Sequence, residues 1–161
     1  RVLILTAFLA GMLAVPLVIP FEKAASDYFD GGALVFIIWA IVEELAKFIV
    51  AWIIVLRRKE VDEPIDALIY MITVALGFSA IENSLFILAP IAGGDAIGAL
   101  VTGNLRFIGA TLLHVISSSA IGAAMALAFY QSAKIKKGFI VVGVILSIGL
   151  HTIFNLLIHI C

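Results

Sequence analysis

Charge is scarce in this 161-residue sequence. Asp, Glu, Lys and Arg make up 13% of it and 64% is hydrophobic, where a soluble domain runs about a quarter charged and half apolar. That excludes an ordinary water-soluble domain and a disordered chain. Positive charge is not in excess either: ten Lys and Arg stand against eleven Asp and Glu, so a basic nucleic-acid binder is excluded. The single cysteine, Cys161, is the last residue, so no internal disulfide and no well-placed thiol nucleophile is available. G-x-S-x-G and H-E-x-x-H are both missing, which removes the serine-hydrolase elbow and the zincin helix. No repeat, low-complexity tract or long polar connection is found, so no separate soluble domain is expected.

What is present is long apolar runs. A membrane-crossing helix needs roughly 20 mostly apolar residues, and five stretches qualify, over about 2–20, 33–56, 65–90, 99–130 and 135–161. They are apolar all round rather than alternating, which argues against barrel strands. The expected fold is all-α: a polytopic transmembrane helix bundle of about five spans, forming one domain over 1–161. Polar connections are expected at Glu22 to Asp30, Arg57 to Glu63, Gly93 to Asp95 and Lys134 to Lys137. The chain opens on Arg1 rather than Met, as a piece of a longer protein would, and the first run reads as an anchor rather than a cleaved signal. Arg1, Arg57, Arg58, Lys59, Lys134, Lys136 and Lys137 fall on one side of these spans and only Lys23 on the other. The positive-inside rule then predicts a multi-pass protein of the cell membrane, N-terminus cytoplasmic and C-terminus extracytoplasmic.

Several ionisable residues fall where lipid should be. Glu43, Glu44, Lys47, Glu82, Arg106, His114 and His151 lie well inside the spans, with Asn83 and Asn155 beside them. Three acids and two bases facing lipid alone would cost on the order of 10 kcal/mol, comparable with a protein's whole net stability. They must face one another around an interior, wet site. Counted from the outer ends of four different spans, Glu43, Glu82, His114 and His151 all fall roughly 12–22 Å deep at about 1.5 Å per residue. Glu43 and Glu44 with Lys47, and His151 with Asn155, share helix faces at three- or four-residue spacing. Arg106 and His114, eight apart, also share a side, and Ser117 and Ser118 continue the His114 face. Small residues nearby, among them Gly77 and Gly122, allow close helix approach.

Plainer roles compete for some of these. Lys47 with Glu43 or Glu44 makes a structural ion pair, Arg106 a counter-ion or a surface phosphate anchor, and Asn83 and Ser117 interhelical hydrogen bonds. Asp66, just after Pro64, suits a helix cap, and His159 lies near an outer end where it reaches water. The set Glu43, Glu44, Glu82, His114 and His151 has no such plain reading.

Carboxylates and imidazoles in a desolvated pocket suit water activation. Asn155, one turn from His151, can offer amide hydrogens to an oxyanion. Such a site would hydrolyse a peptide bond within or beside the membrane. Glu82, His114 and His151 are of types that ligate zinc or another divalent metal, but their scatter along the chain leaves metal-assisted and metal-free routes both open.

Four motifs follow one another in order: Glu43-Glu44-Leu45-Ala46-Lys47; the run from Glu63-Pro64-Ile65-Asp66-Ala67 to Gly77-Phe78-Ser79-Ala80-Ile81-Glu82-Asn83; the pair Arg106 and His114; and His151-Thr152-Ile153-Phe154-Asn155. Together, from about residue 33 onward, they resemble the PrsW family of intramembrane proteases, grouped with the CAAX prenyl endopeptidases and their bacterial relatives. Lys47 points to the PrsW branch, since the CAAX branch resembles E-E-x-x-x-R at its first motif. The resemblance implies hydrolysis of a membrane-anchored protein, of the kind in which an anti-sigma factor is first cut outside the cytoplasm. It implies Glu43 as the water-activating base, Glu44 as its supporting acid paired with Lys47, Glu82, His114 and His151 completing a water or metal site, and Asn155 as the oxyanion contact. Lys47, Asn83 and Arg106 would support them. Two other readings of buried Glu, His and Lys remain: an ion- or proton-coupled transporter, and a non-catalytic scaffold that binds membrane helices.

Overall fold

A computed structural model describes residues 2–29 and 32–160, with side chains through 157. Arg1, Cys161 and the His159 side chain lie outside the described residues. Five helices follow in order: α1 (Val2–Tyr28), α2 (Ala33–Ala51), α3 (Pro64–Ala92), α4 (Ala96–Leu127) and α5 (Ala133–Ile160). α2 runs on into a π-helical turn, Trp52–Leu56. α1, α3, α4 and α5 are long and apolar enough to cross a membrane. α2 falls short by composition alone, because Glu43, Glu44 and Lys47 all sit within its 19 residues. The chain is a multi-pass membrane protein.

The outside of the bundle is greasy and its middle is charged. Leu9, Leu13 and Leu17 of α1, Leu105, Leu112 and Ile116 of α4, and Val141, Ile145 and Leu146 of α5 are exposed. Lys47, Glu44, His114 and His151 are among the largest fully buried side chains. This inverts the water-soluble pattern and is what a lipid solvent selects.

The helices form a closed ring in the order α1, α3, α4, α5, α2, back to α1. α2 touches all the others, so the face carrying its charges points at the ring's centre. Close approach depends on small residues. A Cβ on Gly11 would run into the Val74 carbonyl of α3, and one on Gly77 into the Phe8 carbonyl of α1. Gly122 of α4 packs in the same way on the backbone at Ala67 and Leu68. Without hydrophobic force between helices in lipid, such contacts supply much of the association.

α1 is longer than expected. The Glu22 to Asp30 stretch, expected as a connection, is helical through Tyr28 despite Pro16 and Pro20. Neighbouring groups support that extension, as they do in proline-bearing membrane helices. The Glu22 carbonyl accepts from Ser26 Oγ at 2.9 Å and from the Trp39 indole N–H of α2 at 3.1 Å. The other boundaries fall within a few residues of the sequence reading. Pro64 opens α3 and Asp66 closes its capping box with Glu63, as the helix-start reading of Asp66 requires.

Candidate active site

The site is assembled from one side chain set per helix. α2 supplies Glu43, Glu44 and Lys47, α3 Glu82 and Asn83, α4 Arg106, His114, Ser117 and Ser118, and α5 Ser147 and His151. Helix spacing makes each set a single face: Lys47 lies within 3.8 Å of Glu43 and 2.6 Å of Glu44.

The two adjacent acids have opposite surroundings. Glu44 is saturated. Its Oε1 accepts from Lys47 Nζ (2.6 Å), Ser117 Oγ (3.1 Å) and His151 Nδ1 (2.8 Å), and its Oε2 from Ser118 Oγ (2.8 Å) and Ser147 Oγ (2.7 Å). Glu43 Oε2 is buried and has no hydrogen-bond partner. Three nitrogens stand around it at more than hydrogen-bond length: His114 Nδ1 at 3.7 Å, His151 Nε2 at 3.8 Å and Lys47 Nζ at 3.8 Å. An unsatisfied buried carboxylate oxygen costs free energy, and a small polar guest held among these atoms would relieve it.

Glu82 is held on the far side of His114. Its Oε2 accepts from Arg106 Nη2 at 2.6 Å and meets His114 Nε2 at 2.9 Å. Arg106, a counter-ion here rather than a surface anchor, also donates to Asn83 Oδ1 at 3.1 Å and stacks on Phe86, 3.6 Å from its ring centre. Asn83 in turn donates to Ser79 and Thr111 at 3.1 Å, tying α3 to α4. Lys47 Nζ completes the chain of contacts, 2.9 Å from His114 Nδ1.

A cavity of about 350 Å³ opens onto this network, lined by Glu43, Glu82, Arg106, His114, His151 and Asn155 among others. Asn155 therefore joins His151 in facing it. Of the residues singled out from sequence, Glu43, Glu82, Arg106, His114, His151 and Asn155 front the cavity, and Glu44, Lys47, Asn83, Ser117 and Ser118 do not line it.

Metal fit depends on donor type and spacing. Glu43, His114 and His151 each offer one ligand atom, all within 4.8 Å of one another, and two His with one Glu is a known catalytic zinc set. The set expected from sequence contained Glu82. The ligand-spaced acid is instead Glu43, because Glu82 Oε2 is engaged by Arg106 and His114 while Glu43 Oε2 is unengaged. The residues present fit a divalent ion.

Three contributors were missed in the sequence reading. Ser147 lies four residues before His151, so its presence on the same α5 face was available from spacing. Glu22 follows Val15, Val18 and Ile19 at helical spacing, a signal that the apolar face of α1 continues past Pro20. Trp39 gave no such signal.

Residues 1–161 match the model of the PrsW family intramembrane metalloprotease. The protein "Protease PrsW" of Shouchella clausii is 28% identical over 152 residues, 92% of this chain and 66% of that protein. "Protease PrsW" of Geobacillus kaustophilus is 37% identical over 89 residues, 53% of this chain and 40% of that protein. "Protease PrsW" of Oceanobacillus iheyensis is 25% identical over 160 residues, 95% of this chain and 68% of that protein. The chain thus spans somewhat under two thirds of the first relative's length and about two fifths of the second's. No solved structure matches the chain. With its whole described length matched and its acids and imidazoles gathered at one cavity, the chain belongs to the PrsW family of intramembrane metalloproteases.

Proposed function

We propose that this protein is an intramembrane endopeptidase that hydrolyses a peptide bond of a membrane-anchored protein, with Glu43 as the base. The observation that carries the reading is the unpartnered Glu43 Oε2, buried beside two imidazoles at a cavity of about 350 Å³. Water held between Glu43 Oε2 and His151 Nε2 gives one proton to Glu43 as its oxygen attacks the scissile carbonyl carbon. The oxyanion that forms lies within the polar wall, where Asn155 can donate its amide hydrogens. Collapse breaks the C–N bond, and the proton on Glu43 passes to the departing amine. Glu44 and Lys47 position this machinery: Glu44 fixes His151, and Lys47 fixes His114.

Glu43, His114 and His151 would hold a divalent ion, which when bound acidifies water and polarises carbonyl groups. Glutamic and metallo routes draw on the same residues, with Glu43 as base in the first and as a ligand beside His114 and His151 in the second.

On the positive-inside rule, the basic residues of the α2–α3 and α4–α5 connections favour a cytoplasmic side for those connections and the start of α1, with the end of α5 opposite. The cavity is lined from the other ends of the helices, at Phe36 and Trp39 near the start of α2 and Phe154 and Asn155 near the end of α5. Cleavage therefore takes place toward the extracytoplasmic side. A regulatory substrate of the anti-sigma-factor kind is one that this placement would serve.

The test is cleavage of a single-pass membrane substrate co-reconstituted with the purified protein. Glu43→Gln and His151→Ala should abolish it while the protein stays folded. Wild-type rates in both variants overturn the reading.

A further inference from the structure

A second cavity, of about 160 Å³, adjoins the first and shares Trp39, Glu43, Glu82 and Phe86 with it. Its other side is built by α1 and α3, with Val15, Val18 and Ile19 of α1 as apolar wall. Glu22 also lines it, carried there by the helical extension of α1 beyond Pro20.

Glu22 differs from every other acid at the site. Lys47 attends Glu43 and Glu44, and Arg106 attends Glu82. Among the described residues no ion pair involves Glu22, whose side chain lines one cavity with Glu43 and Glu82; Lys47, the base nearest in field, is held by Glu44 at 2.6 Å. Acids facing acids across an apolar-walled cavity repel when ionised, and either a shared proton or a cation seated between them relieves this. No Lys or Arg is among the residues that line this cavity.

Resting on the peptidase reading above, we propose that this cavity is the subsite for a substrate side chain with an apolar stem and a cationic head, Lys or Arg, next to the scissile bond. Val15, Val18 and Ile19 take the stem, as apolar surface does for long basic side chains, and Glu22 is the counter-ion. The shared wall at Glu43 and Glu82 sets the position: a side chain seated here keeps its own backbone at the reacting water.

The experiment uses the full-length protein in proteoliposomes and a set of single-pass peptides. The residues flanking the bond, mapped by mass spectrometry, are varied as Lys, norleucine or Glu. Norleucine keeps the stem and removes the charge. Wild type should cleave the Lys peptide with kcat/KM about tenfold above norleucine, in the range of a desolvated charge pair. Glu22→Gln should bring the two peptides level, and Glu22→Lys should move the preference to the Glu peptide. Trp39 holds the Glu22 carbonyl and not its carboxylate, so both variants keep the docking of α1. Equal cleavage of the Lys and norleucine peptides by wild type, or a Lys preference that survives Glu22→Gln, overturns the subsite while leaving the peptidase. Cleavage of no peptide by wild type overturns the peptidase reading and the subsite together.

Discussion

His151 Nδ1 lies 2.8 Å from Glu44 Oε1, and that bond determines what the rest of the ring offers. A carboxylate already accepting from Lys47 and three serines takes the Nδ1–H, so Nε2 keeps its lone pair and turns it toward Glu43 Oε2, 3.8 Å away. His114 is set in the opposite sense. The Lys47 ammonium can only donate, so Nδ1 is the bare nitrogen and Nε2–H goes to Glu82. Each imidazole has its tautomer assigned by a charged neighbour on another helix, an arrangement known to orient reactive histidines.

The contrast between Glu43 and Glu44 predicts opposite phenotypes from the same substitution. Glu43→Gln removes a base whose Oε2 has no hydrogen-bond partner, so activity should fall by at least about a hundredfold with little change in thermal unfolding in detergent. Glu44→Gln takes from buried Lys47 its hydrogen-bonded charge partner and leaves Glu43 at 3.8 Å, and removing one member of a buried pair costs about 3–5 kcal/mol. Its unfolding temperature should drop sharply. Equal stability of the two variants would contradict the division of roles.

A divalent ion, if held, should be held by Glu43, His114 and His151. Purified protein should then carry about one equivalent by elemental analysis, with activity lost to a chelator and restored by added zinc or another divalent ion. Glu43→Gln and His151→Ala should lose the ion. Glu82→Gln should retain most of it, because Glu82 acts on His114 from the other side. Retention in His151→Ala would exclude this ligand set.

Much of the site could be seen in advance because burying a charge in lipid is costly. Glu43, Glu82, His114 and His151 come from four helices at one estimated depth, and the structure brings them together. The pairing of Arg106 with His114 on one side of α4 also follows from spacing, and both meet at Glu82 Oε2. What was not legible has a physical cause in each case. Neighbours such as Glu43 and Glu44 point about 100° apart on a helix, and only the packed partners decide which of them is saturated. The polar stretch from Glu22 to Asp30 reads as a connection, because local composition does not register the Trp39 indole that supports the longer helix. The serines around Glu44 were half visible: Ser117 and Ser118 through the His114 face, while Ser147 shares the His151 face by spacing but carries no sign there that it meets Glu44.

Ser147 gives a sharper test of how Glu44 works. Ser147→Ala removes one of two donors to Glu44 Oε2, and leaving a buried acceptor short costs about 1–3 kcal/mol. The other oxygen, which holds His151, keeps its bonds. Stability should fall by that amount while kcat changes little, and Ser147→Thr should recover part of the loss. A collapse of kcat at unchanged stability would mean that Ser147 touches the reaction directly.

The α1–α3 contact sets how far the second cavity can stay open. Gly11 and Gly77 meet the opposing backbones with no room for a side chain, and α1 carries Val15, Val18 and Glu22 on from that contact. Gly77→Leu must push α1 away or strain α3, an overpacking cost of about 1–3 kcal/mol. Gly109 is the control, since a Cβ there meets only the far tip of Phe154 at 3.8 Å. Gly77→Leu should lower the unfolding temperature in detergent and weaken cross-linking between cysteines placed at the α1–α3 contact. Gly109→Ala should do neither. If both substitutions are equally mild, helix association here rests on something other than close backbone approach.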